Sequence, residues 1–230
     1  MKVDGSLSDE SIITYGVPQG SILGPILFLL YINDLPYCLK NVDVMMYADD
    51  TTVSFADSPR EDTISKQKQI ITNTESWFLA NRLGINSKKT TKMLFTLKHV
   101  QKDEHFVECV KYLGVFIDFK LSWNDHGEQV AKKVSRNIFL LRNLSLSLSM
   151  QVLRAAYFAL VHCHLEYALL AWGHTSTCDR LFKLQRRAIR VVANLAYRED
   201  CRSYFRSLGI LTVPSMFIFK CLEYIKDRPE

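Results

Sequence analysis

No CxxC pair occurs among the six cysteines of this 230-residue chain, which stand far apart at Cys38, Cys109, Cys163, Cys178, Cys201 and Cys221. This spacing excludes a zinc ribbon or finger and a Cys-dense secreted scaffold, and makes reduced thiols in an intracellular setting the default. Long apolar runs are also missing. Ile22–Ile32 is short and holds Gly24 and Pro25, and Val152–Trp172 is interrupted by Arg154, His162, His164 and Glu166. Neither reads as a membrane span. The opening residues Met1-Lys2-Val3-Asp4-Gly5 lack the apolar core of a signal peptide, which favours nucleus or cytoplasm. There is no internal repeat and no low-complexity tract. His162-Cys163-His164 is tempting as a metal run, but it lies in an apolar helical stretch, which favours buried packing.

What is present is enough apolar material for a core. Hydrophobic residues make up 48% and charged residues 23%, which excludes disorder as the main state. The length allows one large domain or two small ones. Lys and Arg number 29 against 24 Asp and Glu, a net charge of +5. That charge is uneven: residues 1–127 carry 13 basic and 16 acidic side chains, residues 128–230 carry 16 and 8. A near-neutral half joined to a basic half suggests a core part beside a part that contacts a polyanion.

Patterning divides the chain the same way. Residues 11–15 read as a short strand, and Gly16–Ser21 as a loop punctuated by two Gly and Pro18. Ile22–Leu35 is apolar nearly all round, with Pro25 where a first helical turn tolerates it, and predicts a buried helix. Val42–Ala48 and Thr51–Phe55 read as a hairpin with Asp49-Asp50 at its tip. Ile70, Ile71, Thr74, Trp77 and Phe78 predict a long amphipathic helix over 62–83, with Gly84 placed to end it. Strands are predicted at Lys92–Leu97 and Val110–Phe116, joined through the charged tip Lys102-Asp103-Glu104, the second strand interrupted at Gly114. After Trp123 the pattern is helical only: one stripe on Val130, Val134, Ile138 and Leu141, a second helix over Val152–Trp172, a third over Arg180–Ala193, and one or two more over 203–226, broken near Gly209 and Pro214. The composition changes near residues 119–127.

Adjacent carboxylates at a hairpin tip, flanked by Val44, Met45, Met46, Val53 and Phe55, are costly unless something compensates their charge. A divalent metal is the obvious compensator, and Mg²⁺ takes oxygen ligands together with substrate phosphates. Such a pair suits nucleotidyl transfer by two metals, although an Asp-Asp turn alone is weak evidence because Asp favours turns anyway.

The ordered set of motifs is far more specific. Gly16-Val17-Pro18-Gln19-Gly20-Ser21-Ile22-Leu23-Gly24-Pro25 leads to Tyr31-Ile32-Asn33-Asp34-Leu35, then to Tyr47-Ala48-Asp49-Asp50, Gly84-Ile85-Asn86-Ser87-Lys88-Lys89-Thr90 and Tyr112-Leu113-Gly114-Val115. This order resembles the later palm motifs of the reverse transcriptases of non-LTR, LINE-like (jockey-type) retrotransposons. The stretch around Trp123, Asn124 and His126, and the region Tyr167…Trp172…Gln185-Arg186-Arg187, resemble the segments that follow the palm in those elements. The Tyr47-Ala48 and Pro18-Gln19-Gly20 contexts argue against a viral RNA-dependent RNA polymerase.

The resemblance implies an α+β fold: a partial polymerase palm, an antiparallel sheet with packed helices, over residues 1–119, then an all-helical thumb and C-terminal region over 120–230. It implies that Asp49 and Asp50 bind Mg²⁺ (or Mn²⁺) and are catalytic, with Asp50 the less direct ligand. Tyr47 and Ala48 would lie beneath the primer terminus, and Gln19 and Gly20 along the incoming nucleotide and template. Lys89 would stand near the leaving pyrophosphate, where an ammonium can serve a developing phosphate anion. Tyr112, Leu113 and Gly114 match the hairpin that grips the primer. The implied partners are an RNA template, a DNA primer and deoxynucleoside triphosphates. The family's first catalytic Asp, on an earlier palm strand, and its fingers have no match here. Asp4, Asp9 and Glu10 precede the Gly16 loop in a context unlike that strand, and Asp34 and Asp118 match non-catalytic positions. The resulting expectation is a chain that does not polymerise alone, or a relic that binds nucleic acid through its basic helices; a palm without that strand and the fingers is also expected to expose an unpaired sheet edge and apolar helix faces around Ile22–Leu30.

Those helices are legible without the resemblance. Arg180, Lys183, Arg187 and Arg190 recur at i, i+3, i+7 and i+10, with Leu181, Leu184, Ala188 and Val191 on another face. This basic stripe can follow a phosphate backbone with little regard to sequence. Lys132, Lys133, Arg136 and Arg142 add charge on the helix before.

Overall fold

The computed structural model describes residues 2–3, 6–7, 16–17, 20–56, 60–96 and 106–228. The strand expected at 11–15, Gln19, the Lys102-Asp103-Glu104 tip, and Asp4, Asp9 and Glu10 lie outside the described residues. The chain packs as two compact units, Met1–Thr90 and Thr91–Glu230.

In the first unit, strands β1 (Lys2–Val3) and β2 (Ser6–Leu7) pair antiparallel. Helix α1 runs Gly24–Ile32 with Pro25 in its first turn, followed by the one-turn α2 (Leu35–Cys38). The predicted single buried helix is therefore shorter, and it is not buried. Gly24 and Ile32 are enclosed, while Ile22, Leu23, Ile26 and Leu30 are more than half exposed. An all-round apolar surface says that a helix can be buried, not that this unit has the partners to do it.

Strands β3 (Asp43–Tyr47) and β4 (Asp50–Ser54) form the expected hairpin. Its alternation is that of a half-buried ribbon: Val44 and Met46 pack inward, and Met45 and Tyr47 face water. Helix α3 (Arg60–Ala80) brings Trp77 to the same small core, with Ile32, Leu35 and Leu39. Gly84 does not end this helix. Arg82 takes the left-handed conformation (φ 52°), and the Leu83 amide returns to the Phe78 carbonyl at 2.9 Å. The closing turn thus falls two residues earlier, on a residue whose Cβ had argued against it.

The second unit begins without the strand expected at Lys92–Leu97. Its described residues form no ladder; the Val107 amide donates to the Lys92 carbonyl at 2.9 Å. The next expected strand is a hairpin, β5 (Cys109–Tyr112) and β6 (Val115–Asp118), with Tyr112 opposite Val115. Leu113 (φ 44°) and Gly114 (φ 84°) are both left-handed, as a two-residue type I′ turn requires. Gly114 therefore turns the chain instead of interrupting a strand.

Only helices follow. Helix α4 (Asn124–Ser145) buries Val130, Val134, Ile138 and Leu141, the stripe read from the sequence. Helix α8 (Thr177–Val192) packs along it. Their close approach depends on Gly127, where an added Cβ would lie 2.2 Å from the Thr177 Cγ2. The stretch expected as one helix over Val152–Trp172 is instead α5 (Met150–Tyr157), a π-turn (Phe158–His162), α6 (Cys163–Glu166) and α7 (Leu169–Trp172). Asn137 donates to the Leu160 carbonyl within the π-turn, which supplies that widened turn with an outside partner. The break between α6 and α7 is at Tyr167 and the left-handed Ala168, φ 53°. Helices α9 (Arg202–Ser207) and α10 (Val213–Lys226) are separated at Gly209, and Thr212 caps α10 by accepting from the Ser215 amide. A buried polar knot closes this core. The Gln185 amide donates to the Tyr157 hydroxyl (2.9 Å) and the Leu211 carbonyl (2.8 Å), and its oxygen accepts from the Val213 amide (2.9 Å). Burial pushes the Tyr157 phenol up to about 12.

Candidate functional site

The β3–β4 register fixes the acidic pair. Tyr47 faces Asp50 across the ladder, so Ala48 and Asp49 form a two-residue turn, with Ala48 left-handed at φ 52°. Asp49 is thus in the turn itself and Asp50 opens the return strand. Tyr47, Ala48, Asp49 and Asp50 are brought together at one tip, all exposed. The costly apolar setting inferred from their neighbours is not what the fold provides: Val44, Met46 and Val53 point into the core and leave the carboxylates in water. Mutual repulsion between hydrated carboxylates is weaker, and their oxygens are accessible to a cation.

Carboxylate oxygens are the hard donors that Mg²⁺ takes, so Asp49 and Asp50 fit as two ligands. Among the described residues no group of three or more His, Cys, Asp or Glu is gathered that could hold a metal by itself. The buried packing expected for His162-Cys163-His164 is met only in part: Cys163 is exposed and both histidines are half-buried. His162 Nε2 lies 3.4 Å from the Glu166 carboxylate, while Cys163 Sγ donates to the Ala159 carbonyl. Burial holds the His162 imidazole below its usual pKa, with Glu166 acting the other way.

Lys89 lies in the exposed turn Asn86–Thr90, where its amide and that of Thr90 both return to the Asn86 carbonyl at 3.0 Å. No ion pair joins it to Asp49 or Asp50. Gly20 is left-handed (φ 88°) with open space around it. Asp118 is structural. It is buried, and its carboxylate accepts from the amides of Lys120, Ser122 and Trp123 and the Ser122 hydroxyl. Burial works to raise its pKa, but these donors outweigh it and hold the carboxyl below the ordinary range.

Tyr112, Leu113 and Gly114 form the β5–β6 tip, and two side chains from the segments that follow it, Tyr167 and His126, hold it. The Tyr167 hydroxyl donates to the Leu113 carbonyl, with its ring 3.6 Å from where a Gly114 Cβ would stand. The Phe116 amide donates to His126 Nδ1 at 3.4 Å. Trp172 Nε1 donates to the Tyr167 carbonyl (3.0 Å), so the break between α6 and α7 aims Tyr167 at the hairpin. The signal in the sequence was the Tyr167…Trp172 spacing; the helix break that gives it meaning was not visible there.

On α8, Arg180, Lys183 and Arg187 are exposed and Arg190 is half-buried, so the basic stripe is on the water side. The buried side is turned slightly from the expected one: Leu181, Gln185, Ala188, Ile189 and Val192 are enclosed, and Leu184 and Val191 only partly.

Residues 1–117, just over half of the chain, match the family described as reverse transcriptase (RNA-dependent DNA polymerase). The chain belongs to the reverse transcriptase family. Its relatives include the probable RNA-directed DNA polymerase from transposon X-element of Drosophila melanogaster, 28% identical over 93% of this chain and 25% of that protein. The corresponding polymerase from transposon BS of the same organism is 27% identical over 93% of this chain and 26% of its own length. That of its mobile element jockey is 26% identical over 91% and 25%. These are non-LTR retrotransposon enzymes, as the motif order implied, and this reverse transcriptase chain spans about a quarter of their length. No solved structure matches it. Among the described residues no helix is long and apolar enough to cross a membrane.

Proposed function

We propose that this chain forms the later part of the palm, over residues 1–119, and the thumb and C-terminal region, over 120–230, of an RNA-directed DNA polymerase. This division follows function; packing joins the β5–β6 hairpin to the helices. The observation that carries the proposal is the Asp49-Asp50 pair at a tight hairpin turn inside the matched span.

In the reaction the primer 3′-oxygen bonds to the α-phosphorus of a deoxynucleoside triphosphate, the α–β P–O bond breaks, and pyrophosphate leaves. Mg²⁺ (or Mn²⁺), when bound, lowers the charge on the phosphates and on the attacking oxygen. Asp49 and Asp50 would hold it from the hairpin tip, where both carboxylates are open to solvent. Tyr47 and Ala48 support the primer end, with Gln19 and Gly20 along nucleotide and template. Lys89 offers a proton or positive charge to the departing pyrophosphate. Tyr112, Leu113 and Gly114 hold the primer strand. Arg180, Lys183, Arg187 and Arg190 neutralise backbone phosphate.

Two carboxylates make an incomplete two-metal site, so the 230-residue polypeptide by itself is expected not to extend a DNA primer on an RNA template in Mg²⁺. Run beside Asp49→Ala, the same assay has a decisive opposite outcome. Extension that vanishes in the variant shows that another residue of this chain supplies the missing ligand. A second reading is a relic of such an element that only binds nucleic acid; the positive charge on α8, where among the described residues no carboxylate pairs with Lys183, Arg187 or Arg190, favours it.

A further inference from the structure

A groove of about 1000 Å³ runs between α4 and α8 in the second unit. Lys132 and Arg136 line one wall; Lys183, Arg187 and Arg190 line the other. The turn after α8 closes one end with Tyr197 and Arg198. Neither Arg198 nor Tyr197 was part of the basic stripe read from the sequence, because both lie beyond the helical period.

The cations are poorly neutralised. Among the described residues one carboxylate pairs with a groove cation, Glu128 with Lys132 at 2.8 Å. Two of the arginines are instead held by neutral partners. Arg187 Nη2 donates to the Tyr197 hydroxyl at 3.1 Å, and Arg190 Nε donates to the Glu199 carbonyl at 2.8 Å. Neutral acceptors fix a guanidinium in place without cancelling its charge, so the wall is pre-organised for an anion. Self-repulsion among so many cations favours a ligand with several negative charges.

Tyr197 narrows the class further. It is 64% exposed, with the Arg187 guanidinium 5.8 Å from its ring centre. An exposed aromatic ring at the end of a cationic groove is a platform for an unpaired base. A duplex keeps its base faces stacked and offers such a ring nothing.

We infer that this groove binds single-stranded nucleic acid, with the phosphates along α8 and a base stacked on Tyr197. The inference rests on the proposed function only for its choice of a nucleic-acid ligand. It needs neither metal nor the Asp49 hairpin.

The test is fluorescence anisotropy of the 230-residue chain with a labelled 15-nucleotide single strand and with the matching blunt duplex, both in EDTA. Primer extension reports on the hairpin, so the two readings fail separately. Tighter binding of the single strand is expected. Its salt dependence should have a log–log slope of about −3, from about four phosphates at −0.7 each. Tyr197→Ala should weaken single-strand binding by about tenfold and duplex binding much less, through the lost Arg187 contact alone, while Tyr197→Phe keeps the ring and most of the single-strand affinity. Arg136→Glu, on the opposite wall and without a hydrogen-bond or ion-pair partner among the described residues, should weaken binding to both. Equal affinity for strand and duplex, or a folded Tyr197→Ala that binds the strand like the parent, overturns the inference; so does an Arg136→Glu variant with unchanged affinity.

Discussion

Unit 1 gathers four buried apolar side chains, Ile32, Leu35, Leu39 and Trp77, whereas unit 2 gathers 22 among the described residues. The family match covers 1–117 and contains the acidic pair, but the dense core lies mostly beyond it. The parts that recognition depends on and the parts that stability depends on are thus largely different stretches of chain. A turn carrying Asp49 needs a register and access to water, both of which a two-stranded ribbon gives. A bundle of helices needs interlocking layers, and Trp172, Tyr157 and Gln185 are completely enclosed in them.

The sharpest way to break this comparison is to empty each core. Trp172→Ala removes a side chain with no exposure and its bond to the Tyr167 carbonyl, and should cost about 4 kcal/mol. Denaturant unfolding followed by circular dichroism measures it. Trp77→Ala, in the smaller core, should cost about 1–2 kcal/mol less, because its half-open neighbours can relax into the gap. Equal costs would mean that the two cores are equally tight. Next in size is Gln185→Leu, which keeps the volume but leaves the Leu211 carbonyl and the Val213 amide without partners. A loss of about 3 kcal/mol is expected in the same unfolding measurement.

How much of this was legible varied with the kind of signal. The α4 stripe on Val130, Val134, Ile138 and Leu141 was readable because one helix face against one core is a periodic pattern. The Asp49 hairpin was readable because alternation and turn residues coincide. The exposure of α1 was legible only through the resemblance, which leaves Ile22–Leu30 without a covering surface; the apolar pattern of Ile22 and Leu30 by itself carries no mark of whether a partner surface exists. The breaks at 158–162 and 167–168 were hidden as well, because a helical pattern does not show that a freed carbonyl will be taken up by a side chain, by Asn137 from another helix at Leu160 and by Trp172 five residues on at Tyr167. Of the site, the residues were visible as motifs. The clamp of Tyr167 and His126 on the Leu113 turn, and the Tyr197 end of the groove, are products of tertiary packing.

A smaller effect sharpens the comparison at the junction of hairpin and helix. Asp118 accepts four hydrogen bonds, and its pKa is lowered in the fold. A carboxylate with a lowered folded pKa contributes stability above its unfolded value of about 3.9, and this is lost as pH falls through the folded value. Asp118→Asn should therefore cost about 1–2 kcal/mol at pH 7. The gap between parent and variant should close as the pH is taken below about 4. A gap of constant size would mean that geometry, not charge, makes Asp118 valuable.

The smallest effect on stability belongs to the exposed side of α1. Leu30 is 70% exposed, so Leu30→Gln removes almost no buried area and should change unfolding free energy by less than about 0.5 kcal/mol. Its consequence lies elsewhere. Ile22, Leu23, Ile26 and Leu30 place apolar surface in water within three turns of chain, and such a patch drives association between copies. Sedimentation velocity across a concentration series should show the parent associating more than Leu30→Gln, at matched thermal stability. If the substitution instead lowers stability by 2 kcal/mol or more, the size of a buried large-to-small change, then α1 is packed in solution and unit 1 is better enclosed than its four buried side chains imply.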